Sequence, residues 1–359
     1  MKNNKKLSAM LACALISSCV AVTFGSCGGG EAKDTYVPDE KPYRWANTPA
    51  VQAEMDEGVK IDGEFNDSVY ENINWLDAID RPDSEKTSII RVGTAITAKG
   101  VYIAVDVEET GSKIYVNPNR ASYCNSCIEL YMDMASETDL TKKTFELDLM
   151  ANGDFSVRSR VPARWDWKSA YAPNDIAPIA AAKTKGGKVN SDTCYGYSYE
   201  VFLSKGYLEK MGYEFSEEME IALNPVHIIS LDYNQTNHQL ARVYSQWMAD
   251  YSDNYDWGKP NTWLTFGKNG LETYNVNVTV TGDKTLGSIV GVNGKNEIFK
   301  GHNGELKIIC LNGSKLTKLT VNGENALEKV RWAGDIGVLT LANPTADVAV
   351  EAEFAKRSE

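Results

Sequence analysis

Short runs in which apolar and polar side chains alternate recur along most of the chain, with the two-residue period of strands that bury one face. Residues 87–95 and 100–107 are two such runs, with a turn at Ala98-Lys99-Gly100. Residues 128–133 and 144–150 alternate likewise, and Asn152-Gly153-Asp154 follows as a hairpin turn. Residues 195–203 predict a further strand, 203–211 a short helix, and 218–224 and 228–233 two more strands. No long amphipathic helix and no Gly-rich phosphate loop interrupts the series. Many short strands with turns every ~10 residues predict an all-β fold, an antiparallel β-sandwich.

The texture changes near Phe266-Gly267-Lys268-Asn269-Gly270. Residues 272–355 predict a second, smaller all-β unit, rich in Asn-Gly turns (Asn293-Gly294, Asn303-Gly304, Asn312-Gly313, Asn322-Gly323). Residues 316–323 together with the closing run 347–354 loosely resemble the small Ig-like repeat modules that end many bacterial surface proteins. The resemblance implies a spacer or packing domain with no chemistry of its own.

The N-terminus is organised differently. Lys2, Lys5 and Lys6 precede an apolar run over residues 7–25, the charged and apolar regions of a secretory signal. Ser8, Ser17, Ser18 and Thr23 within the run, and the glycines after it, argue against a permanent span. Gly25-Ser26 before Cys27 resembles the lipobox of bacterial lipoproteins, where the signal is cut before a cysteine whose thiol carries a diacylglycerol. Cys19 is the weaker alternative, because it leaves a very short apolar region. The expected layout is a signal peptide over 1–26, then lipidated Cys27 and a flexible polar tether over 27–50. Lipid chains contribute roughly 0.8 kcal/mol per buried methylene, so several together anchor firmly to a membrane. Glu31 and Asp34 resemble the acidic surface-export signal of Bacteroidetes lipoproteins. The expected location is the bacterial cell envelope.

Loss of the three signal lysines takes the formal charge from -12 to about -15, which repels phosphate backbones and excludes nucleic acid as a partner. Cys124, Cys127, Cys194 and Cys310 then remain in an oxidising compartment. Cys124-Asn125-Ser126-Cys127 has no second pair to complete a zinc site, and the expectation is a structural disulfide from Cys124 or Cys127 to Cys194. Three histidines give little material for metal or triad chemistry. No cofactor is implied, and a structural calcium is left open.

Ile61-Asp62-Gly63-Glu64-Phe65-Asn66-Asp67-Ser68-Val69-Tyr70 resembles the opening "IDG…D…W" signature of family 9 carbohydrate-binding modules, with Tyr70 where tryptophan is usual. Three strand motifs follow in the family's order: Val101-Tyr102-Ile103-Ala104-Val105-Asp106, Ser126-Cys127-Ile128-Glu129-Leu130-Tyr131-Met132-Asp133, and Gly196-Tyr197-Ser198-Tyr199-Glu200. Trp257-Gly258-Lys259-Pro260-Asn261-Thr262-Trp263 closes the series. The resemblance covers residues 51–268 and implies a β-sandwich that clamps a terminal sugar between two aromatic rings. Pyranose C–H faces stack on such rings while the hydroxyls take fixed polar partners.

Carried over by position, the clamp falls on Tyr123 and Trp257, the hydroxyl-reading carboxylate on Glu129, the amide on Asn254, and a further polar position on Arg242. One departure stands out. Where the family places an arginine on the strand after that of Glu129, this chain has Glu146. Each residue also has a plainer reading: Trp257 as core, Glu129 as a loop brace, and Trp165 and Trp167, two apart on one strand face, as packing instead of a platform.

The resemblance implies a non-catalytic carbohydrate-binding lipoprotein, with an oligo- or polysaccharide as ligand, the membrane as anchor, and other glycan-utilisation proteins as partners. Behind it stands a glycoside hydrolase or an accessory part of one, acting on O-glycosyl bonds, which needs two facing carboxylates roughly 5–9.5 Å apart. A haem-binding relative of the same sandwich comes last, with His227 or His238 as axial ligand.

Overall fold

Alternation in the sequence becomes two stacked sheets. A computed structural model describes residues 44–45, 53–79, 87–110, 113–161, 166–169, 177–230, 232–233, 258–291 and 294–357. The strands of the first part are β1 (Arg44–Trp45), β2 (Leu76–Ile79), β3 (Thr87–Thr97), β4 (Gly100–Thr110), β5 (Cys127–Met134), β6 (Phe145–Met150), β7 (Phe155–Val161), β8 (Asp166–Ser169), β9 (Ile179–Lys185), β10 (Gly196–Ser204), β11 (Ile221–Ile228), β12 (Leu264–Gly267) and β13 (Gly270–Leu271). One sheet runs β1-β9-β10-β4-β3-β2 and the other β13-β12-β11-β5-β6-β7-β8. All pairings are antiparallel except β1 with β9. The expected antiparallel β-sandwich is the fold. Helix α1 (Lys205–Met211) follows β10, capped by Ser204 Oγ accepting from the Tyr207 N–H and closed by left-handed Gly212.

The main core lies between the sheets. Val101, Ile103, Val105 and Val107 of β4 and Tyr197, Tyr199 and Val201 of β10 meet Ile128, Leu130 and Met132 of β5 and Leu147 and Leu149 of β6. Burying each such side chain stabilises the fold by ~1.5–3 kcal/mol. A second cluster covers the opposite face of the first sheet, where Met55, Val59, Ile61 and Tyr70 pack on Tyr102, Ala104 and Phe202.

The opening motif is tied down by the Gly-Tyr-Ser-Tyr-Glu strand. Glu200 Oε2 accepts the N–H groups of Asp62 (2.8 Å) and Gly63 (2.7 Å), and Ser198 Oγ donates to the Gly63 carbonyl at 2.6 Å. Gly63 sits at φ +85°, and a Cβ there would lie 2.8 Å from the Lys183 backbone nitrogen. These two motifs, distant in sequence, form one structural joint.

Two strand expectations change. Residues 218–224 and 228–233 do not form separate strands; a single β11 runs from Ile221 through Pro225 to Ile228. Proline is tolerated there because β12, on one side, pairs only with Ile221–Leu223 among the described residues, while β5 pairs along the whole length on the other. The expected disulfide is also corrected: Cys124, Cys127, Cys194 and Cys310 are free, buried thiols. Cys194 belongs to the core between the sheets, whereas Cys127 points to the other face of the second sheet, against Met150 and Ile228. A sheet separates the two sulfurs.

The C-terminal strands are β14 (Thr273–Thr281), β15 (Gly287–Gly291), β16 (Glu297–Phe299), β17 (Gly304–Cys310), β18 (Ser314–Val321), β19 (Glu324–Asn325), β20 (Arg331–Ala333), β21 (Ile336–Leu341) and β22 (Val348–Lys356). They form the sheets β16-β14-β22-β18-β19 and β15-β17-β21-β20 around their own core, centred on Leu306, Ile308, Leu319, Leu339 and Val350. Asn312-Gly313 and Asn322-Gly323 take left-handed conformations, as such turns require. Asn303-Gly304 does not: Gly304 opens β17 and leaves room for Ile298.

No described helix is long and apolar enough to cross a membrane. Cys27 and the signal and tether segments lie outside the described residues, except Arg44–Trp45, which pairs with β9.

Candidate functional site

The outward face of the second sheet should be its solvated side, yet it carries a buried polar row. In β5 the apolar residues Ile128, Leu130 and Met132 point into the core, which turns Cys127, Glu129, Tyr131 and Asp133 outward. The same alternation turns Glu146 and Asp148 of β6, and Ser156 and Arg158 of β7, to that face. Register then sets the row: Glu129 lies opposite Asp148, Tyr131 opposite Glu146, and Glu146 opposite Arg158.

Three carboxylates therefore converge. Glu129, Glu146 and Asp148 are all buried, with oxygens within 4.8 Å of one another, a spacing at which a cation can be held. Among the described residues, the cation paired with them is the Arg158 guanidinium. Its Nη2 donates to Glu146 Oε1 (3.0 Å) and to Asp148 Oδ1 (3.0 Å) and Oδ2 (2.9 Å). Like charges facing each other across strands are destabilising, so Arg158 is what makes the Glu129–Asp148 pairing tolerable.

The remaining bonds are unequal. Asp148 Oδ2 also accepts from Ser122 Oγ (2.8 Å) and Ser156 Oγ (2.6 Å), which saturates it. Glu129 Oε2 accepts from the Tyr131 hydroxyl at 3.0 Å. Glu146 Oε2 and Arg158 Nε are buried with no hydrogen-bond partner among the described residues. Burial, reinforced by the Asp148 charge, pushes the Glu146 carboxyl well above the usual carboxylate range, with Arg158 pulling the other way. Burial works against the Arg158 charge, but the carboxylates of Asp148, Glu146 and Glu129 hold it firmly protonated.

Of the residues expected at the site, the structure joins two. Glu129 is in the row, and the backbone of Tyr123 lies in the short 3-10 turn Ser122–Cys124, whose Ser122 hydroxyl is bonded to Asp148. Arg242, Asn254 and Trp257 lie outside the described residues, as do Trp165 and His238. Trp167 lies on β8, opposite Arg160 of β7. His227 is fully buried, with Nε2 3.0 Å from Glu109 Oε1.

The residue that the motif comparison missed is Arg158. An arginine stands one strand further on, at the position directly opposite Glu146. The signal was present in Ser156-Val157-Arg158, where alternation puts Ser156 and Arg158 on one face, but only the register says that this is the face of Glu129.

At the far end of the row, the Tyr131 ring lies 6.4 Å from the buried Trp263 ring. The Trp263 carbonyl is bonded to His302 Nε2 at 2.9 Å, in the turn after β16. Burial lowers the His302 pKa, so the ring is neutral and donates from Nε2.

The chain is similar to several solved structures. One is a family 9 carbohydrate-binding module from Caldicellulosiruptor kristjanssonii in complex with cellotriose, at 11% identity and a TM-score of 0.34, covering 57% of this chain and 86% of that one. A module of the same family and organism in complex with glucose matches at 11% identity and a TM-score of 0.36, covering 62% and 92%. A candidate carbohydrate-binding protein from Bacteroides uniformis matches at 8% identity and a TM-score of 0.34, covering 45% and 74%. No protein-family model and no curated protein matches the sequence.

Proposed function

We propose that this chain is a non-catalytic carbohydrate-binding lipoprotein that holds glycan at the cell envelope, with Glu129 and Arg158 reading sugar hydroxyls beside the Tyr123 turn. The observation that carries the reading is the buried row of Glu129, Glu146, Asp148 and Arg158 with an acceptor and a donor left without partners. A buried ion cluster adds little stability compared with apolar residues of the same shape, while breaking it is costly. Strongly perturbed buried groups cluster at functional sites. A pyranose supplies hydroxyls that donate and accept from neighbouring carbons, which matches a free carboxylate oxygen next to a free guanidinium N–H. Entry is over Arg158, whose side chain keeps 25% of its surface exposed. Tyr123 and Trp257 are the stacking rings of this reading, with Asn254 and Arg242 as further polar contacts, and Cys27 is its lipid anchor.

The test is titration of the full-length protein with mono- and oligosaccharides, followed by tryptophan fluorescence and calorimetry. A saturable response is expected that weakens at least tenfold in Glu129→Gln and in Trp257→Ala, the loss of ~1.4 kcal/mol or more. No response to any plant or host glycan would sink the binding claim. For the anchor, Cys27→Ser should move the protein from the membrane pellet to the soluble envelope fraction and abolish fatty-acid labelling; labelling that persists in Cys27→Ser and disappears in Cys19→Ser would relocate the anchor.

A further inference from the structure

We propose that the Glu129–Glu146–Asp148–Arg158 site prefers a sugar carrying a protonated amine, an unacetylated hexosamine unit, over a neutral or anionic one. The inference rests on the carbohydrate-binding reading above and adds the chemical class of the ligand. Among the described residues, three carboxyl groups face one guanidinium, so the row carries a surplus of oxygens over donors, and of negative charge whenever Glu146 is ionised. Asp148 is saturated by Arg158, Ser122 and Ser156. Two atoms of the row lack a hydrogen-bond partner among the described residues: Glu146 Oε2, on a side chain only 3% exposed that also has Tyr131 beside it, and Arg158 Nε. Glu146 Oε2 becomes an acceptor when its carboxyl ionises. A ligand that fills both atoms needs a strong donor beside an acceptor, and an ammonium next to a ring hydroxyl is the sugar substituent pair that also balances the charge. Charge-assisted bonds from an ammonium to a carboxylate are about twice as strong as neutral ones, and stronger still where water is excluded. A uronate or sulfated sugar would place a further negative charge against three carboxylates, which costs energy at short range.

Binding such a ligand has a proton signature. The groups facing Glu146 are Glu129, Tyr131 and the Cys127 thiol from β5, Asp148 on its own strand and Arg158 from β7. Burial and the Asp148 charge favour the protonated form of Glu146 in the free protein. An ammonium docked on Oε2 favours the ionised form, so Glu146 releases its proton to the buffer. A neutral sugar has no such effect.

The probes are three β-1,4-linked trisaccharides that differ at C2 alone: the glucosamine trimer, cellotriose and the N-acetylglucosamine trimer. They are titrated into the full-length protein by calorimetry, at a mildly acidic pH that keeps the amine charged, in two buffers of different ionisation enthalpy. The expected result is that the glucosamine trimer binds about tenfold tighter than cellotriose, equivalent to ~1.4 kcal/mol, with release of up to one proton per site. In Glu146→Gln both the preference and the proton release should disappear. If cellotriose binds as tightly as the glucosamine trimer, this inference fails and the carbohydrate reading stands. If none of the three binds, and no other glycan does, both fall. A preference that survives in Glu146→Gln would mean attraction to the acidic surface at large and would overturn the assignment. So would calcium that binds the row and displaces the trimer. The proton count on the unmutated protein decides the matter even if the variant folds poorly.

Discussion

Arg158→Met keeps the length of the side chain and removes its charge from among Glu129, Glu146 and Asp148. Three hydrogen bonds go with it, to Glu146 Oε1 and to both oxygens of Asp148. Breaking a buried ion pair by deleting one partner costs ~3–5 kcal/mol, because the other charge stays buried without compensation. The lower end applies here, since a quarter of the Arg158 side chain is exposed. At roughly 2–4 °C per kcal/mol for a unit of this size, Tm should fall by about 6–12 °C at neutral pH. The loss should shrink on acidification. Without the guanidinium the raised Glu146 pKa rises further, and a carboxylate with a folded pKa above its unfolded value contributes stability that is full below the unfolded value and is lost as pH rises. Adding Glu146→Gln should recover part of the deficit as pH rises, because a buried group that would have to stay protonated or ionise without a counter-charge is gone, with a coupling of ~1–2 kcal/mol between the two sites. Thermal unfolding by circular dichroism at two pH values reads all of this. A single variant that melts within about 2 °C of the parent at both, with no coupling to Glu146→Gln, would refute the assignment of Arg158 as the counter-charge of the row.

Two further predictions concern the joint between the opening motif and β10. Gly63→Ala puts a Cβ at a left-handed φ and 2.8 Å from the Lys183 backbone nitrogen, which should cost ~2–4 kcal/mol and lower Tm by about 5–15 °C. Glu200 is pushed by burial up to about 8, against the pull of the Asp62 and Gly63 N–H groups, from 4.5. Its raised folded value means that the stability linked to its proton is full below about 4.5 and is lost as pH rises through about 8; Glu200→Gln should flatten the Tm–pH curve across that window, and an unchanged curve would count against it.

What the sequence made legible follows from which signals are local. Alternation along one strand sets which side chains face the core, so β3, β4, β5, β6 and β10 could be placed within a few residues and the sandwich followed. Glu129 could be found because its strand motif lies in one stretch. Arg158 could not, because its meaning depends on β7 pairing with β6 in the register that sets Arg158 opposite Glu146, and register is fixed by packing across the whole sheet. The disulfide expectation failed for the same reason: the export signal puts Cys127 and Cys194 in one oxidising compartment, but only the sheet shows that their sulfurs lie on opposite faces. Residues 218–224 and 228–233 predict two strands, whereas the shortness of the neighbouring β12 lets one strand pass through Pro225.

The C-terminal module, expected to be a spacer or packing domain without chemistry of its own, packs against the sandwich. Phe299 packs on the sandwich core, Lys300 pairs with Glu220, and His302 donates to the Trp263 carbonyl. Asn74 binds the crossing segment through the Leu271 carbonyl (2.9 Å) and accepts the Leu271 N–H (2.8 Å). Trp263 in turn lies against Tyr131, whose hydroxyl holds Glu129. Trp263 and Leu271 are buried and belong to the same core as β5, so the C-terminal module is fastened to the core that carries the Glu129 strand. A carboxylate that reads hydroxyls must keep its place whether or not the sugar is bound, since every rotamer frozen on binding subtracts ~0.5–1.5 kcal/mol from affinity. On the proposed carbohydrate-binding function, support from behind the row would supply that order in advance, without a contact between the second module and the ligand.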